Sequence, residues 1–302
     1  MKKLFSFLVI LMLLLPCFSC GETIVTSFYP VWIITLNLTH GLDDVIVSNL
    51  ASPSAGCLHD YQLQTADMKI LSQADVFLIN GAGMEAFLPE ISHAFPELPV
   101  VEAASGIDLL KEGSAFEIGG SDEGEVNSHI WLDASRALRM AENLAEGLIQ
   151  ILPQDQSVIS ANLEDYRIRL QALDQKLREG LSNLPRNEII TFHEAFPYFA
   201  EAYGLQVVAV VNKEPGETLT PAQMAALVDE ITRLGNPPLF VEPQFAELSA
   251  QTLSNETGAS VYSLDPIVTG PEENVPLDYY ETIMLQNMDV LIAALSGPAD
   301  SH

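Results

Sequence analysis

The chain has 302 residues, of which 48% are hydrophobic, enough for two folded domains with their own cores. It carries 41 acidic against 13 basic residues, a formal net charge of −28. A surface this acidic repels nucleic acid and anionic membranes and concentrates cations, so we expect no nucleic-acid partner.

The first 19 residues are typical of an export signal. Two lysines precede an apolar run, Leu4–Leu15, which is shorter than the ~20 residues of a membrane-spanning helix. Cys20 after Ser19 resembles the lipid-bearing cysteine of a bacterial lipobox, although Cys17 stands where leucine is usual. We therefore expect an extracytoplasmic protein of the periplasm or cell envelope. It is either lipid-anchored at Cys20 or cleaved to a soluble product.

Loss of residues 1–19 removes two lysines and leaves a charge of −30. Of the three cysteines, Cys17 lies in the signal and Cys20 directly follows it, and Cys57 is the third, so we expect no disulfide framework. Outside the signal no apolar run reaches ~18 residues, so membrane contact is expected only through the anchor.

From Thr23 onward, short runs rich in β-branched residues alternate with longer helical patterns. This alternation predicts parallel sheets covered on both faces by helices. The predicted strands of the first half are Thr23–Ser27, Asp44–Asn49, Val76–Asn80 and Val100–Glu102. The predicted helices between them are Pro30–His40, Thr65–Ala74 and Glu85–Phe95. The glycine-rich, acidic stretch Glu117–Ser128 then predicts a surface loop.

Two helical patterns follow, Ala134–Ile151 and a second from Gln154 to about Leu184. About 30 residues at ~1.5 Å each predict a rod of ~45 Å, which we interpret as a connector between lobes. The strand–helix alternation returns after Pro185. Its predicted strands are Glu188–Phe192, Gln206–Val211, Leu239–Val241 and Ser260–Leu264, and its predicted helices are Ala195–Tyr203, Pro221–Leu234, Glu247–Thr257 and Leu277–Leu295.

The predicted fold is α/β, with two four-strand parallel-sheet lobes joined by a long rigid helix and a metal cleft between them. The expected limits are a signal at 1–19, an N-terminal lobe at 20–152, a connecting helix at 153–185 and a C-terminal lobe at 186–302.

Four candidate metal ligands recur at similar intervals: His59, His129, His193 and Asp265, separated by 70, 64 and 72 residues. His193 and Asp265 directly follow predicted strands, and open α/β sheets bind ligands at the carboxyl ends of their strands. Three imidazoles and a carboxylate suit zinc, whereas calcium and magnesium prefer oxygen-only shells. Spacing alone leaves ordinary structural histidines as the alternative.

Six stretches around these candidates carry a wider similarity. They are H-D-Y-Q-L-Q-T-A-D-M-K-I-L-S-Q-A-D from His59, N-G-A-G-M-E-A-F-L from Asn80, S-H-I-W-L-D from Ser128, T-F-H-E-A-F-P-Y-F-A from Thr191, F-V-E-P-Q-F from Phe240 and S-L-D-P from Ser263. In this order they resemble the zinc/manganese solute-binding proteins of ABC importers, the ZnuA/TroA-like group (cluster A-I). The resemblance implies a bilobed fold with a rigid backbone helix, metal capture between the lobes, and delivery to a membrane permease.

The resemblance also implies a ligand set. The three histidine positions of the family fall on His59, His129 and His193, and its carboxylate position falls on Asp265. Manganese-type members commonly have glutamate at the third position, so His193 favours Zn²⁺, with Mn²⁺ as the alternative. Glu194 is a further candidate oxygen ligand.

Two departures from the family pattern bear on the metal. Many zinc-type members carry a histidine-rich loop before the second ligand, whereas Glu117–Ser128 contains no histidine. Cys57 stands where proline or an acidic residue is usual; a thiolate there either joins the site or is an ordinary loop thiol.

Two carboxylates, Asp60 and Glu242, are candidate acceptors for the N–H groups of liganding imidazoles. Solvent-facing carboxylates are the alternative for both.

The leading hypothesis is a monomeric, non-enzymatic binding protein that captures Zn²⁺ and presents it to the permease of an ABC importer. The alternatives are a manganese-specific protein of the same family, a zinc hydrolase with Glu194 as general base, and a surface adhesin.

Overall fold

The computed structural model describes residues 21–58, 61–111, 126–211, 219–244 and 248–297, together with the backbone of 116–117. The export signal with Cys20, the candidates His59 and Asp60, and most of the acidic loop lie outside the described residues.

The N-terminal sheet has four parallel strands: β1 (Glu22–Thr26), β2 (Val45–Asn49), β3 (Val76–Ile79) and β4 (Val100–Glu102), in the order β2-β1-β3-β4. Its helices are α1 (Tyr29–Leu38), α2 (Thr65–Leu71) and α3 (Leu88–Ala94). All four residues of β3 are buried, as expected for an inner strand with both faces covered.

The C-terminal sheet has one strand more than expected. It contains β5 (Phe116–Glu117), β6 (Glu188–Thr191), β7 (Gln206–Val210), β8 (Leu239–Val241) and β9 (Val261–Ser263), all parallel, in the order β5-β7-β6-β8-β9. The short β5 includes Glu117, the first residue of the stretch predicted as a loop, and it pairs with Ala209 and Val210. The predicted two-lobed α/β class is confirmed, with this additional edge strand.

The remaining helices are α4 (Ala134–Ile151), α5 (Gln156–Leu181), α6 (Pro197–Tyr203), α7 (Pro221–Arg233), α8 (Leu248–Thr257) and α9 (Tyr279–Leu295). The 26 residues of α5 span about 39 Å. It packs on α1 and α4 of the N-terminal half and on α6 and α9 of the C-terminal half, so α5 joins the lobes as predicted. Within the part of the chain that the structure describes, no helix combines the length and apolar character needed to cross a membrane.

Arg169 on α5 binds both lobes. Its guanidinium donates to Asn37 Oδ1 on α1, to Glu281 Oε1 on α9, and to the Leu277 carbonyl at 3.1 Å. It also lies 4.7 Å from the centre of the Tyr166 ring. Burial raises the pKa of Glu281, and the Arg169 cation opposes this shift by favouring the ionised carboxylate. The first and last helices are therefore fixed to one connector.

Glu85 supports the turn that follows β3. It is 5% exposed, and its carboxylate accepts from the N–H groups of Asn80 at 2.8 Å and Gly81 at 3.0 Å. Gly81 has φ of +78°, and a Cβ there would lie 2.1 Å from the Glu102 side chain, so only glycine fits. Burial raises the pKa of Glu85 to about 7, against the opposing effect of the two N–H groups.

This raised pKa gives a pH-dependence of stability. The unfolded chain ionises Glu85 near pH 4.5, the folded chain near pH 7, so stability falls as pH rises through that window. The full effect is on the order of 3 kcal/mol. We expect urea unfolding in the presence of chelator to show wild type losing this amount relative to Glu85→Gln between pH 5 and pH 8. Parallel pH profiles for the two proteins would contradict the assignment.

Candidate metal centre

Three side chains with metal-binding atoms converge where the lobes meet. Among the described residues, Cys57, His129 and His193 place their ligand atoms within 4.8 Å of one another. Cys57 lies in the loop after β2, His129 directly precedes the short turn before α4, and His193 follows β6. The structure thus brings together two of the predicted histidines and adds the thiol.

Asn127 fixes the orientation of His129. Its Oδ1 accepts from the His129 backbone N–H at 3.0 Å and lies 3.2 Å from His129 Nδ1. Its Nδ2 donates to the Glu194 carbonyl at 2.7 Å, and its own carbonyl accepts from Tyr198 Oη. A proton on Nδ1 leaves the lone pair of His129 on Nε2, which lies 3.5 Å from Cys57 Sγ.

Sequence reasoning missed Asn127. The available signal was a polar amide two residues before a candidate ligand, in a position that the structure shows to be fully buried. A buried amide needs hydrogen-bond partners inside the protein, and His129 and the Glu194 carbonyl supply them.

His193 is oriented by Glu242. Its Nδ1 lies 2.8 Å from Glu242 Oε1, and both side chains are only 3% exposed. Gln244 Nε2 donates to the other carboxylate oxygen. A carboxylate at Nδ1 selects the tautomer that presents Nε2 as a ligand and raises its basicity. The His193 and His129 rings stand 4.9 Å apart at 81°.

Asp265 and Glu194 are placed differently from these three residues. Asp265 is half-buried after β9, and its Oδ1 accepts from the Ile267 N–H at 2.7 Å. Burial raises the pKa of Asp265, and the negative charge of Glu242 raises it further, so the two carboxylates lie within electrostatic reach. Glu194 is buried, and its backbone carbonyl binds Asn127. Neither carboxylate belongs to the group within 4.8 Å.

The backbone after Asp265 is strained. Ile267 is fully buried and has φ of +63°, a conformation that is unfavourable for a β-branched side chain and costs roughly 1–3 kcal/mol. The surrounding contacts maintain it: Trp131 Nε1 donates to the Pro266 carbonyl at 2.7 Å. The loop that carries Asp265 is thus held against the residue that packs under His129.

Neutralising Glu242 tests its support of His193. We expect Glu242→Gln to keep an oxygen for the Nδ1–H but to lose the charge, lowering zinc affinity by ~10–100-fold. Competition with a chromophoric chelator measures this. Glu256→Gln, on the exposed face of α8, is the matched control. Equal affinities in the two variants would show that Glu242 does not act on the site.

Two parallel-sheet lobes on one connecting helix, with imidazole and thiol donors gathered between them, define a bilobed α/β protein whose cleft offers the donors that transition metals prefer. The sequence matches the family model described as zinc-uptake complex component A, periplasmic (ZnuA), over residues 24–294. The chain belongs to this family, which confirms the resemblance found in the sequence.

Individual relatives have low sequence identity to this chain, but the matches extend over most of its length. The zinc-binding lipoprotein AdcA of Streptococcus pneumoniae is 28% identical over 276 residues, covering 89% of this chain and 54% of AdcA. The chain thus spans about half the length of that relative. The manganese-binding lipoprotein MntA of Halalkalibacterium halodurans is 28% identical over 240 residues, covering 79% of this chain and 77% of MntA. The structure of FpvC from Pseudomonas aeruginosa in complex with Mn²⁺ has a TM-score of 0.80 at 26% identity, covering 91% of this chain and 98% of FpvC.

Proposed function

We propose that the chain is an extracytoplasmic solute-binding protein that captures one divalent transition metal ion, Zn²⁺, and delivers it to the permease of an ABC importer. The main support for this proposal is that His129 and His193 are both buried and lie side by side. Their Nδ1 atoms are engaged by Asn127 and Glu242, so both rings offer Nε2 to a common point between the lobes. Buried imidazoles arranged in this way are suited to a metal ion.

The proposed ligand set is His59, His129, His193 and Asp265, with Glu194 as the alternative oxygen donor. His129 and His193 are supported by their convergence. Asp265 is proposed from the family pattern. Burial and the charge of Glu242 raise its pKa, and a bound dication would restore its ionised form. His59 lies outside the described residues and is proposed from the family pattern alone.

Zinc is proposed over manganese because nitrogen donors suit zinc, whereas manganese prefers oxygen-rich shells. The family description names zinc uptake, and AdcA is named for zinc. Manganese is the second candidate, since MntA is named for manganese and the FpvC structure contains it.

The remaining parts of the proposal concern location and partners. AdcA and MntA are named lipoproteins, which supports export and lipid anchoring at Cys20. We propose that the protein binds and releases its ion without catalysis, because the named relatives are binding and transport proteins. We propose that it does so as a monomer.

Calorimetric titration of metal-stripped protein tests the proposal. We expect Zn²⁺ to bind with one ion per chain, and Mn²⁺ to displace it only at large excess. Stronger binding of Mn²⁺ would replace zinc with manganese as the cargo. If neither ion binds, the proposed function is wrong.

A further inference from the structure

The thiol of Cys57 lies against the metal-binding face of His129. Cys57 Sγ is 3.5 Å from His129 Nε2, the nitrogen that carries the lone pair when Nδ1–H faces Asn127. The same sulfur is within 4.8 Å of the ligand atom of His193. The thiol therefore faces the point at which the two imidazoles converge.

The distance between Cys57 Sγ and His129 Nε2 matches the distance between two ligand atoms of a tetrahedral zinc site. Zinc–sulfur bonds of ~2.3 Å and zinc–nitrogen bonds of ~2.05 Å, at the tetrahedral angle, place sulfur and nitrogen ~3.6 Å apart. The 3.5 Å between Cys57 Sγ and His129 Nε2 allows one ion to bind both atoms without backbone movement.

The loop that carries Cys57 is anchored on both sides of the cleft. Leu58 is fully buried in the core, and its carbonyl accepts from the Tyr61 N–H at 3.0 Å. Earlier in the loop, the Pro53 carbonyl accepts from the Gly270 N–H of the C-terminal lobe at 3.3 Å. The position of the half-buried thiol is thus set by the fold of both lobes.

We propose that Cys57 is a direct ligand in the metal shell and that its sulfur sets the selectivity of the site for thiophilic ions. The inference rests on the proposed function, in which the site captures a divalent transition metal ion. When the ion binds, the S–H proton passes to solvent and the sulfur lone pair forms the bond to the metal, so the site gains one anionic donor. With sulfur from Cys57 and nitrogen from His129 and His193, a tetrahedral site has one position left, so only one of the other two members of the proposed ligand set would bind the ion.

The consequence is discrimination against manganese. Soft thiolate favours zinc and cadmium, whereas Mn²⁺ gains little from sulfur. Cys57 would therefore supply selectivity in a chain whose segment before His129, residues 117–128, contains no histidine.

Cobalt substitution tests the inference directly. Co²⁺ bound by a thiolate shows an intense sulfur-to-metal charge-transfer band in the near ultraviolet, which nitrogen and oxygen ligands alone do not produce. We expect the band in wild-type protein titrated with Co²⁺ and its loss in Cys57→Ser, which still binds Co²⁺ through the histidines. The same substitution should lower Cd²⁺ affinity by ~10–100-fold and leave Mn²⁺ affinity within a factor of about three.

Ala55→Ser is the matched control, since it adds a hydroxyl at an exposed position of the same loop and should change neither the band nor the affinities. A cobalt complex of wild-type protein without the band, or equal Cd²⁺-to-Mn²⁺ selectivity in Cys57→Ser and wild type, would overturn the inference and leave metal capture by histidine intact. Failure of wild-type protein to bind Co²⁺, Zn²⁺ and Cd²⁺ would instead overturn the proposed function.

Discussion

Replacement of His129 with alanine should lower zinc affinity by more than ~100-fold, because loss of a direct ligand costs more than the ~10–100-fold typical of outer-shell changes. His129 is 1% exposed and its ring faces Asn127 Oδ1 at 3.2 Å, so its imidazole is already oriented for the ion. Chelator competition measures the change. His129→Gln, which retains most of the volume, should lose affinity to a similar degree and separates ligand loss from cavity effects.

His93→Ala is the control for this series. His93 is exposed on α3, and its removal should leave zinc affinity unchanged. Equal zinc affinities in His129→Ala and His93→Ala would place the ion elsewhere.

The largest effect on stability is expected for Trp131→Ala. Trp131 is fully buried, packs edge-to-face on Phe28 at 5.2 Å, and lies 5.2 Å from the His129 ring. Its Nε1 donates to Pro266, and its carbonyl accepts from Tyr280 Oη at 2.6 Å. Truncation should lower the free energy of unfolding by ~3–5 kcal/mol and reduce the melting temperature by roughly 10 °C.

Two further variants define the cause of that loss. Trp131→Phe keeps an aromatic ring but leaves the Pro266 carbonyl without its donor, so we expect an intermediate loss of about 1–3 kcal/mol. Leu248→Ala removes a side chain that is 80% exposed and should change stability by less than ~0.5 kcal/mol. Melting curves of metal-free protein in which Trp131→Ala and Leu248→Ala coincide would contradict this packing account.

Much of the fold was predictable because its local signals agree with its tertiary contacts. The apolar run Val76–Ile79 predicts an inner parallel strand, and the structure has one there. Thr220 followed by Pro221 predicts the start of a helix, and in the structure Thr220 forms a capping box at the start of α7. Helix ends were less predictable. Helix α3 begins at Leu88 rather than Glu85 because the Glu85 carboxylate binds the Asn80 and Gly81 amides.

The candidate site was predictable only in part. Motifs predicted His129 and His193 as ligands, but sequence gives no distance between loops of different lobes. The approach of His193 to His129, and the position of Asp265 outside the 4.8 Å group, depend on how the lobes pack. The approach of Cys57 to His129 depends on how two loops of the N-terminal lobe fold together. The two-residue strand β5 is too short to carry a periodic signal.

In the proposed function, the protein carries one zinc ion between its lobes. Native mass spectrometry of the protein, purified from its own cell envelope without chelators, tests this most directly. We expect a single species heavier than the metal-free chain by one zinc ion, and we expect that ion to be lost in His129→Ala and retained in His93→Ala. A spectrum of wild-type protein showing no bound metal, or one zinc ion retained in His129→Ala, would contradict the proposal.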